Sequence, residues 1–143
     1  VTLWMARHLY GGPLSYIGHG GGGTQVRDVL HVADLYDAIA PSLDGVGDLD
    51  GQTFNLGGGR DVSVSLRELT DHCERISGNS IGIASVPETR PNDIAYYITD
   101  ASRIETQTGW QPKRSLEETL QDIHHWLIEH RRVLEPILGG GTS

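Results

Sequence analysis

The sequence predicts an α/β fold built around a single core. Short apolar segments alternate with amphipathic segments, and two of the amphipathic segments open with a Ser-x-x-Glu capping box. The length of 143 residues is that of one domain. Strands separated by helices imply parallel pairing. About four strands are recognisable, fewer than the roughly five to six of an average sheet. We therefore expect an incomplete sheet.

The first part of the chain is predicted to form a helix and two strands. Apolar residues within 3–9 recur at helical spacing, and the Gly-Gly-Pro run at 11–13 ends that helix. Leu14–Ile17 alternates like a short strand. Residues 18–23 are a glycine-rich flexible loop, and residues 26–32 are β-branched and apolar enough for a second strand.

The middle of the chain is predicted to form a helix and a buried strand. Asp34 is placed at the start of the helix, where its carboxylate complements unpaired backbone amides. Residues 44–51 are a turn-rich connection, and residues 53–56 form a buried strand that runs into the glycines at 57–59. Within the helix, apolar residues recur at helical spacing at Leu35, Ala38, Ile39 and Leu43.

The capping boxes at 65–68 and 115–118 begin two further helices. Gly78 ends the first of these, residues 81–86 form a third apolar strand, and Asp100 caps a short helix. The inward positions of the two capped helices are Leu66, Leu69, Cys73 and Ile76, followed by Leu116, Leu120, Ile123, Leu127 and Ile128.

Charge and composition exclude several classes of function. Eleven Lys and Arg against nineteen Asp and Glu give a net charge of −8, which opposes non-specific binding to nucleic acid or to an anionic membrane. No apolar run approaches the roughly 20 residues of a membrane span. Cys73 is the single cysteine, which fits a reducing cytoplasm and a buried structural thiol. We expect a cytoplasmic protein that meets any anionic ligand through a few local arginines.

The glycines and histidines form no recognised phosphate or metal motif. The clusters at 18–23 and 57–59 lack the Gly-Lys-Ser/Thr of a P-loop and the complete dinucleotide fingerprint, so turns or a ligand-covering loop are favoured over a cofactor role. His124 and His125 are adjacent and diverge by about 100° on a helix, so they cannot clamp one ion. We expect no metal site.

Two arginines stand out beside predicted strands. Arg27 interrupts an apolar strand, and Arg90 directly follows another, three residues before Asp93. Guanidinium groups donate in pairs to diphosphate oxygens, and ligands of α/β proteins bind beyond strand ends. Two interpretations remain open: a ligand site, or ion pairs within the protein. The ion pairs would join Arg27 to Asp28 or Asp34, and Arg90 to Glu88 or Asp93.

Five motifs occur in the order and spacing of a known family. They are Gly-Pro-Leu-Ser-Tyr-Ile-Gly at 12–18, Gln-Val-Arg-Asp-Val-Leu-His-Val at 25–32, Phe-Asn-Leu-Gly-Gly-Gly at 54–59, Val-Pro-Glu-Thr-Arg-Pro-Asn-Asp at 86–93 and Thr-Gly-Trp-Gln-Pro at 108–112. The chain resembles the C-terminal part of extended short-chain dehydrogenase/reductases that act on sugar nucleotides. Within them it is most similar to the CDP-tyvelose epimerases, also called CDP-paratose 2-epimerases. The resemblance implies a partial Rossmann-type fold, with a substrate-binding portion at 1–138 and a flexible tail at 139–143.

The resemblance also implies a ligand site for a nucleotide diphosphate sugar. Arg27 and Arg90 would grip the diphosphate, Asp93 would reach the ribose, and Gln25 and Val26 would border the same pocket. Members of the family oxidise the sugar with tightly held NAD and return the hydride to the opposite face of the keto sugar. The cofactor supplies the redox chemistry, and the protein supplies orientation and proton transfer.

The chain departs from the family in the parts that carry the chemistry. It has no Gly-x-x-Gly-x-x-Gly, none of its five tyrosines is followed four residues later by lysine, and Lys113 is its only lysine. Asn92 stands where glycine is usual. We expect no catalytic residue and no NAD bound by this chain alone, a missing N-terminal half, and a homo-oligomer that covers exposed apolar faces. The alternative is a stand-alone nucleotide-binding or interaction module.

Overall fold

The computed structural model describes residues 1–44 and 51–140, and within those ranges it contains six α-helices and five short strands. The predicted α/β class is confirmed. Residues 141–143 of the predicted tail and residues 45–50 of the predicted connection lie outside the described residues. In chain order the elements are α1 (Thr2–Tyr10), β1 (Leu14–Ile17), β2 (Val26–Asp28), α2 (Val32–Asp44), β3 (Ser63–Ser65), α3 (Leu66–Ser77), β4 (Ile83–Val86), β5 (Tyr96–Tyr97), α4 (Ser102–Thr108), α5 (Leu116–Glu129) and α6 (Arg131–Leu138).

The described strands form two small sheets. β1 lies parallel to β4, with Leu14 opposite Ile83 and Ile17 opposite Val86. β2 is the central strand of the second sheet, antiparallel to β3 and parallel to β5. Parallel strands need long connections, and the chain between β1 and β4 contains β2, α2, β3 and α3. The loops that follow β1 and β4 therefore lie side by side.

The main core lies between α1, α3, α5 and α6. Leu69 and Cys73 of α3 pack with Leu120 and Leu127 of α5, and the last three of these side chains are completely buried. Each buried leucine contributes roughly 1.5–3 kcal/mol of transfer free energy. Burial raises the pKa of the Cys73 thiol to about 12, so the thiol stays protonated and inert. The predicted buried structural cysteine is confirmed.

Both predicted capping boxes are present. The Ser65 hydroxyl accepts the backbone N–H of Glu68, whose carboxylate accepts the backbone N–H of Ser65. Ser115 and Glu118 repeat this arrangement at the start of α5. Gly78 ends α3 in the left-handed conformation, as its position in the sequence predicts.

A second, smaller core joins α2 to α4. Ala38, Ile104 and Trp110 are buried together, and the Trp110 indole N–H donates to the carbonyl of Asp34 (3.0 Å). The Asp34 side chain is also buried, and its carboxylate accepts from the Arg114 guanidinium (2.5 Å) and from the Arg114 backbone N–H (3.1 Å). Asp34 lies in the first turn of α2, as predicted, but its carboxylate binds Arg114 and not the helix amides.

Two predicted strands differ from the structure. The strand predicted at 26–32 ends at Asp28. Shortly after it, His31 Nδ1 accepts the backbone N–H of Ala33 (3.0 Å), a hydrogen bond that caps the start of α2. The strand predicted at 53–56 is absent, since no described strand lies beside it to satisfy its backbone. The Arg103 guanidinium instead donates to the Thr53 carbonyl (3.1 Å).

The apolar stripe of α5 is narrower than predicted. Leu120 and Leu127 are completely buried, but Ile128 is 51% exposed and lies off the core face. The prediction of an inward Ile128 was wrong. Ile128 follows Leu127 directly in the chain, so its side chain points about 100° away from that of Leu127 around the helix axis.

Among the described residues, none of the helices combines the length and apolar character needed to cross a bilayer.

Candidate functional site

A cavity of about 1170 Å³ opens where β1, β2, α1 and α5 meet. The first residues of α1, alternate residues of β1 and the strand β2 form its walls, and the turn at 90–93 forms its rim. Small-molecule sites are typically concave spaces of this size, with mostly apolar walls and a few polar groups. The cavity is therefore the candidate ligand site.

The structure brings four of the five predicted site residues to this cavity. Gln25, Arg27, Arg90 and Asp93 all contribute to its wall, although 65 positions separate Gln25 from Arg90. Val26 is not part of the cavity lining. Its backbone pairs with β3 and β5, and its carbonyl accepts an N–H of the Arg27 guanidinium (2.7 Å).

Arg27 is held in place at the cavity by the segment that follows Arg90. Its guanidinium donates to the Ile94 carbonyl (2.7 Å) and lies 3.4 Å from the Asp93 carboxylate. Both interactions engage Nη2, and the side chain remains 43% exposed. The ion pairs that we considered for Arg27, with Asp28 or Asp34, are not formed. Asp28 accepts the backbone N–H of Gly59 (3.1 Å), and Asp34 binds Arg114.

Arg90 is exposed at the cavity rim. Among the described residues, neither Glu88 nor Asp93 forms the ion pair with Arg90 that we considered. The Arg90 carbonyl accepts the backbone N–H of Asp93 (3.1 Å), which closes a tight turn. Asn92 occupies this turn with a φ of 66°, the left-handed region that glycine and asparagine tolerate. Asparagine thus adopts a conformation in which glycine is the usual residue.

Gln25 supplies a buried amide to the same wall. Its side chain is 7% exposed, and the amide N–H donates to the Ile17 carbonyl. The amide oxygen is buried and accepts no hydrogen bond from the described residues. A buried acceptor without a donor is costly, so this oxygen is a candidate partner for a ligand hydroxyl or for an ordered water.

The sequence did not single out a histidine and an aspartate that also line the cavity. His31 Nε2 and Asp122 Oδ2 are 3.2 Å apart, and 91 positions separate them in the chain. Because His31 Nδ1 accepts the Ala33 N–H, the ring proton is on Nε2 and is donated to Asp122. No local pattern links a residue at the start of α2 to one within α5, so only the folded structure reveals this pair.

The remaining wall of the cavity is apolar. Leu66, Leu69, Ile123 and Trp126 contribute apolar surface to it. The cavity lining thus combines guanidinium groups with aliphatic and aromatic surface, a composition that suits a ligand with an anionic centre and a less polar body. Among residues 1–44 and 51–140, no group of three or more His, Cys, Asp and Glu side chains is arranged to hold a metal ion.

Curated relatives of the chain act on sugar nucleotides. Over 107 residues the chain is 34% identical to UDP-glucose 4-epimerase of Caenorhabditis elegans, and over 106 residues it is 32% identical to CDP-paratose 2-epimerase of Salmonella typhi. The chain is homologous to the C-terminal part of NAD-dependent sugar-nucleotide epimerases and dehydratases. The alignments cover 73% and 74% of the chain but only 30% and 31% of these two relatives, so the chain spans about a third of the epimerase length. No protein-family model matches the sequence.

Solved epimerase and dehydratase structures share the fold. UDP-glucose 4-epimerase of Thermotoga maritima, solved with UDP-glucose, superimposes with a TM-score of 0.73 at 27% identity over 90% of this chain and 39% of its own. The dTDP-glucose 4,6-dehydratase DesIV of Streptomyces venezuelae, solved with NAD, superimposes with a TM-score of 0.75 at 29% identity. That match covers 94% of this chain and 39% of the DesIV chain. The predicted resemblance to Rossmann-type extended short-chain dehydrogenase/reductases is confirmed.

The glycine clusters do not fit the dinucleotide cradle of this epimerase and dehydratase family. A Cβ at Gly57 would collide with Asp28 and Thr99, and a Cβ at Gly58 would collide with the Val29 carbonyl. These glycines allow close packing inside the protein. The cluster at 57–59 is followed by a single 3-10 turn and β3, not by the helix N-terminus that binds a pyrophosphate. The cluster at 57–59 therefore does not match a dinucleotide cradle.

Proposed function

We propose that this chain is the sugar-nucleotide-binding portion of an NAD-dependent epimerase, with a nucleoside diphosphate sugar, by preference a CDP-sugar, as its ligand. Arg27 and Arg90 hold the diphosphate, Asp93 meets the ribose, and Gln25 contributes to the same wall. The convergence of two guanidinium groups and a carboxylate at one cavity edge carries the proposal.

The geometry of the arginines supports a diphosphate as the anion. Arg27 keeps about two fifths of its side chain exposed while backbone carbonyls fix its guanidinium, and Arg90 stands exposed at the rim. In a protein of net charge −8, such groups provide local positive charge where the whole molecule repels anions. Arg27 on β2 and Arg90 on the turn at the rim bring two guanidinium groups to the same cavity, where their positive charge favours a phosphate.

We further propose that catalysis requires polypeptide beyond this chain. The relatives are about three times longer than the part that matches, and the chain contains no Tyr-x-x-x-Lys pair. In that arrangement the lysine lowers the tyrosine pKa so that the tyrosine acts as a base. An N-terminal half, in the same polypeptide or in a separate chain, would supply this pair and NAD. The chain alone is then inactive.

Calorimetric titration tests the binding proposal. The chain is titrated with CDP-glucose and with UDP-glucose, and the measurement is repeated with Arg27→Ala and Arg90→Ala. Hydrogen bonds to charged groups contribute about 1.5–3 kcal/mol, so each variant should bind roughly 10- to 100-fold more weakly. Arg132→Ala is the matched control, because Arg132 is exposed on α6 outside the cavity and its removal changes the net charge equally.

The alternative function, a stand-alone interaction module without nucleotide binding, predicts no heat with either sugar nucleotide. That result with folded protein would refute the binding proposal. Equal weakening by Arg132→Ala would show that only net charge matters and would refute the diphosphate clamp. Epimerisation by the isolated chain with added NAD would contradict the proposal that it is inactive alone.

A further inference from the structure

We propose that His19 is a positioning residue for Asp93, and that its protonation tightens the binding of a nucleoside diphosphate sugar. The inference rests on the proposed function of the cavity. It concerns a residue outside the cavity lining, which acts on the ligand only through Asp93 and Arg27.

The loop that carries His19 is docked on the segment that carries Arg90 and Asp93. The Gly18 backbone N–H donates to the Val86 carbonyl (2.8 Å), and the His19 backbone N–H donates to Thr89 Oγ1 (2.8 Å). His19 itself has a φ of 48°, in the left-handed region that few side chains adopt. These contacts hold the imidazole beside the Asp93 carboxylate.

The imidazole lacks a hydrogen bond at the atom that faces Asp93. His19 Nε2 is buried, has no hydrogen-bond partner among the described residues and lies 3.6 Å from Asp93 Oδ2. The other oxygen, Oδ1, lies 3.4 Å from the Arg27 guanidinium. Asp93 is therefore placed between one permanent cation and one group that becomes a cation on protonation.

Protonation of His19 changes how Asp93 and Arg27 share charge. Histidine side chains change charge between about pH 5 and pH 8, while carboxylates and guanidinium groups remain ionised there. Protonated His19 attracts Asp93 Oδ2, so the carboxylate neutralises less of the Arg27 charge. The diphosphate then meets a more positive Arg27. By linkage, a bound diphosphate also favours protonated His19, so affinity rises as pH falls.

The other charges near His19 do not reproduce this dependence. The segment on which the loop packs carries Glu88 and Arg90, both exposed, and the cavity wall beyond Asp93 carries Arg27. Carboxylates and guanidinium groups as classes keep their charge between pH 6 and pH 8. His31, the histidine that lines the cavity, has both ring nitrogens engaged, Nε2 with Asp122 and Nδ1 with the backbone N–H of Ala33.

The test measures the Kd of a sugar nucleotide between pH 6 and pH 8. CDP-glucose and UDP-glucose are suitable because their diphosphate has no terminal phosphate monoester, whose second pKa of about 6 would interfere. His19→Asn removes the imidazole and retains a residue that tolerates the left-handed conformation. His19→Gly is the second variant, and His125→Gln, at an exposed position on α5, is the matched control. Thermal unfolding at both pH values establishes that each variant is folded.

We expect the wild type and His125→Gln to bind about three- to tenfold more tightly at pH 6 than at pH 8. Both His19 variants should bind with nearly constant affinity, close to that of the wild type at pH 8. A wild-type affinity independent of pH, or an unchanged pH dependence in folded His19→Asn and His19→Gly, would overturn the inference. Absence of binding by the wild type at every pH would instead refute the proposed function.

Discussion

The ion pair between Asp34 and Arg114 provides a quantitative test of the packing behind the cavity. Asp34 is 1% exposed, and its two carboxylate oxygens accept two hydrogen bonds from Arg114, one from the guanidinium and one from the backbone N–H. The Trp110 indole N–H donates to the backbone carbonyl of Asp34. This contact ties the start of α2 to the segment that precedes α5. The two elements carry His31 and Asp122 to the cavity, so the pair also sets the shape of that wall.

Asp34→Asn should destabilise the protein by about 2–3 kcal/mol. The substitution keeps the shape of the side chain but removes its charge, and one donor of Arg114 loses its acceptor. Charged hydrogen bonds contribute about 1.5–3 kcal/mol, and breaking a fully buried pair costs about 3–5 kcal/mol. Because Arg114 is partly exposed, we expect the loss of unfolding free energy to be smaller than that of a fully buried pair. For a chain of this length, Tm should fall by about 6–12 °C.

The same pair makes a prediction for pH dependence. Burial raises the pKa of Asp34, but the backbone N–H groups of Arg114 and Lys113 and the Arg114 guanidinium lower it by more, so the pKa lies below its usual range. A lowered pKa in the folded state stabilises the protein above the unfolded value of about 3.9, and that contribution is lost as pH falls through the folded value. The Tm difference between wild type and Asp34→Asn should therefore be full at pH 7 and shrink below about pH 4.

Thermal unfolding by circular dichroism measures both effects, with Asp37→Asn as the matched control. Asp37 accepts from the same guanidinium (2.8 Å), but its side chain is 35% exposed, and exposed pairs contribute about 1 kcal/mol or less. Equal loss of Tm in both variants, or a difference from wild type that does not shrink in acid, would refute the assignment of the stability to the buried carboxylate.

Two further predictions concern the cavity rim and the exposed apolar face. Asn92→Val should lower the free energy of unfolding by about 1–2 kcal/mol or shift the turn and weaken sugar-nucleotide binding, because a β-branched residue resists the left-handed φ. Asn92→Gly should retain the stability and the binding of the wild type. Unfolding and calorimetry would contradict this prediction if Asn92→Val matched the wild type in stability and in affinity. Val32, Tyr36 and Ile39 are 74%, 69% and 47% exposed on one face of α2, so the isolated chain should self-associate at micromolar concentration, and Tyr36→Glu should weaken that association. A sedimentation mass of 15.6 kDa for the wild type across that range would count against self-association.

Local signals predicted most of the helices. The capping boxes at 65–68 and 115–118, and the glycine that ends α3, act within a few residues of the chain, so their geometry follows from the sequence. α6 was not predicted, because its apolar residues remain partly exposed and give no clear inward stripe. β5 was not predicted either, since its two tyrosines join the sheet only through pairing with β2.

The segment at 53–56 shows why strands were harder to predict. Its apolar side chains do pack inward, with Phe54 and Leu56 against the buried cluster of Ala38, Ile104 and Trp110. The hydrophobic pattern therefore predicted inward packing, although both side chains are only half-buried. A strand also needs a neighbour for its backbone hydrogen bonds, and the pattern of one segment carries no information about that neighbour.

Local periodicity, capping chemistry and motif order are enough to predict the fold class, the capped helices, the buried thiol and the residue types of the candidate site. Which charges meet depends on the folded structure. Arg27 lies beside Asp93, 66 positions away, and not beside Asp28 or Asp34, while Arg90 remains exposed at the cavity rim. Such pairings depend on how β1 and β4 bring their following loops together, which is a long-range property of the sheet.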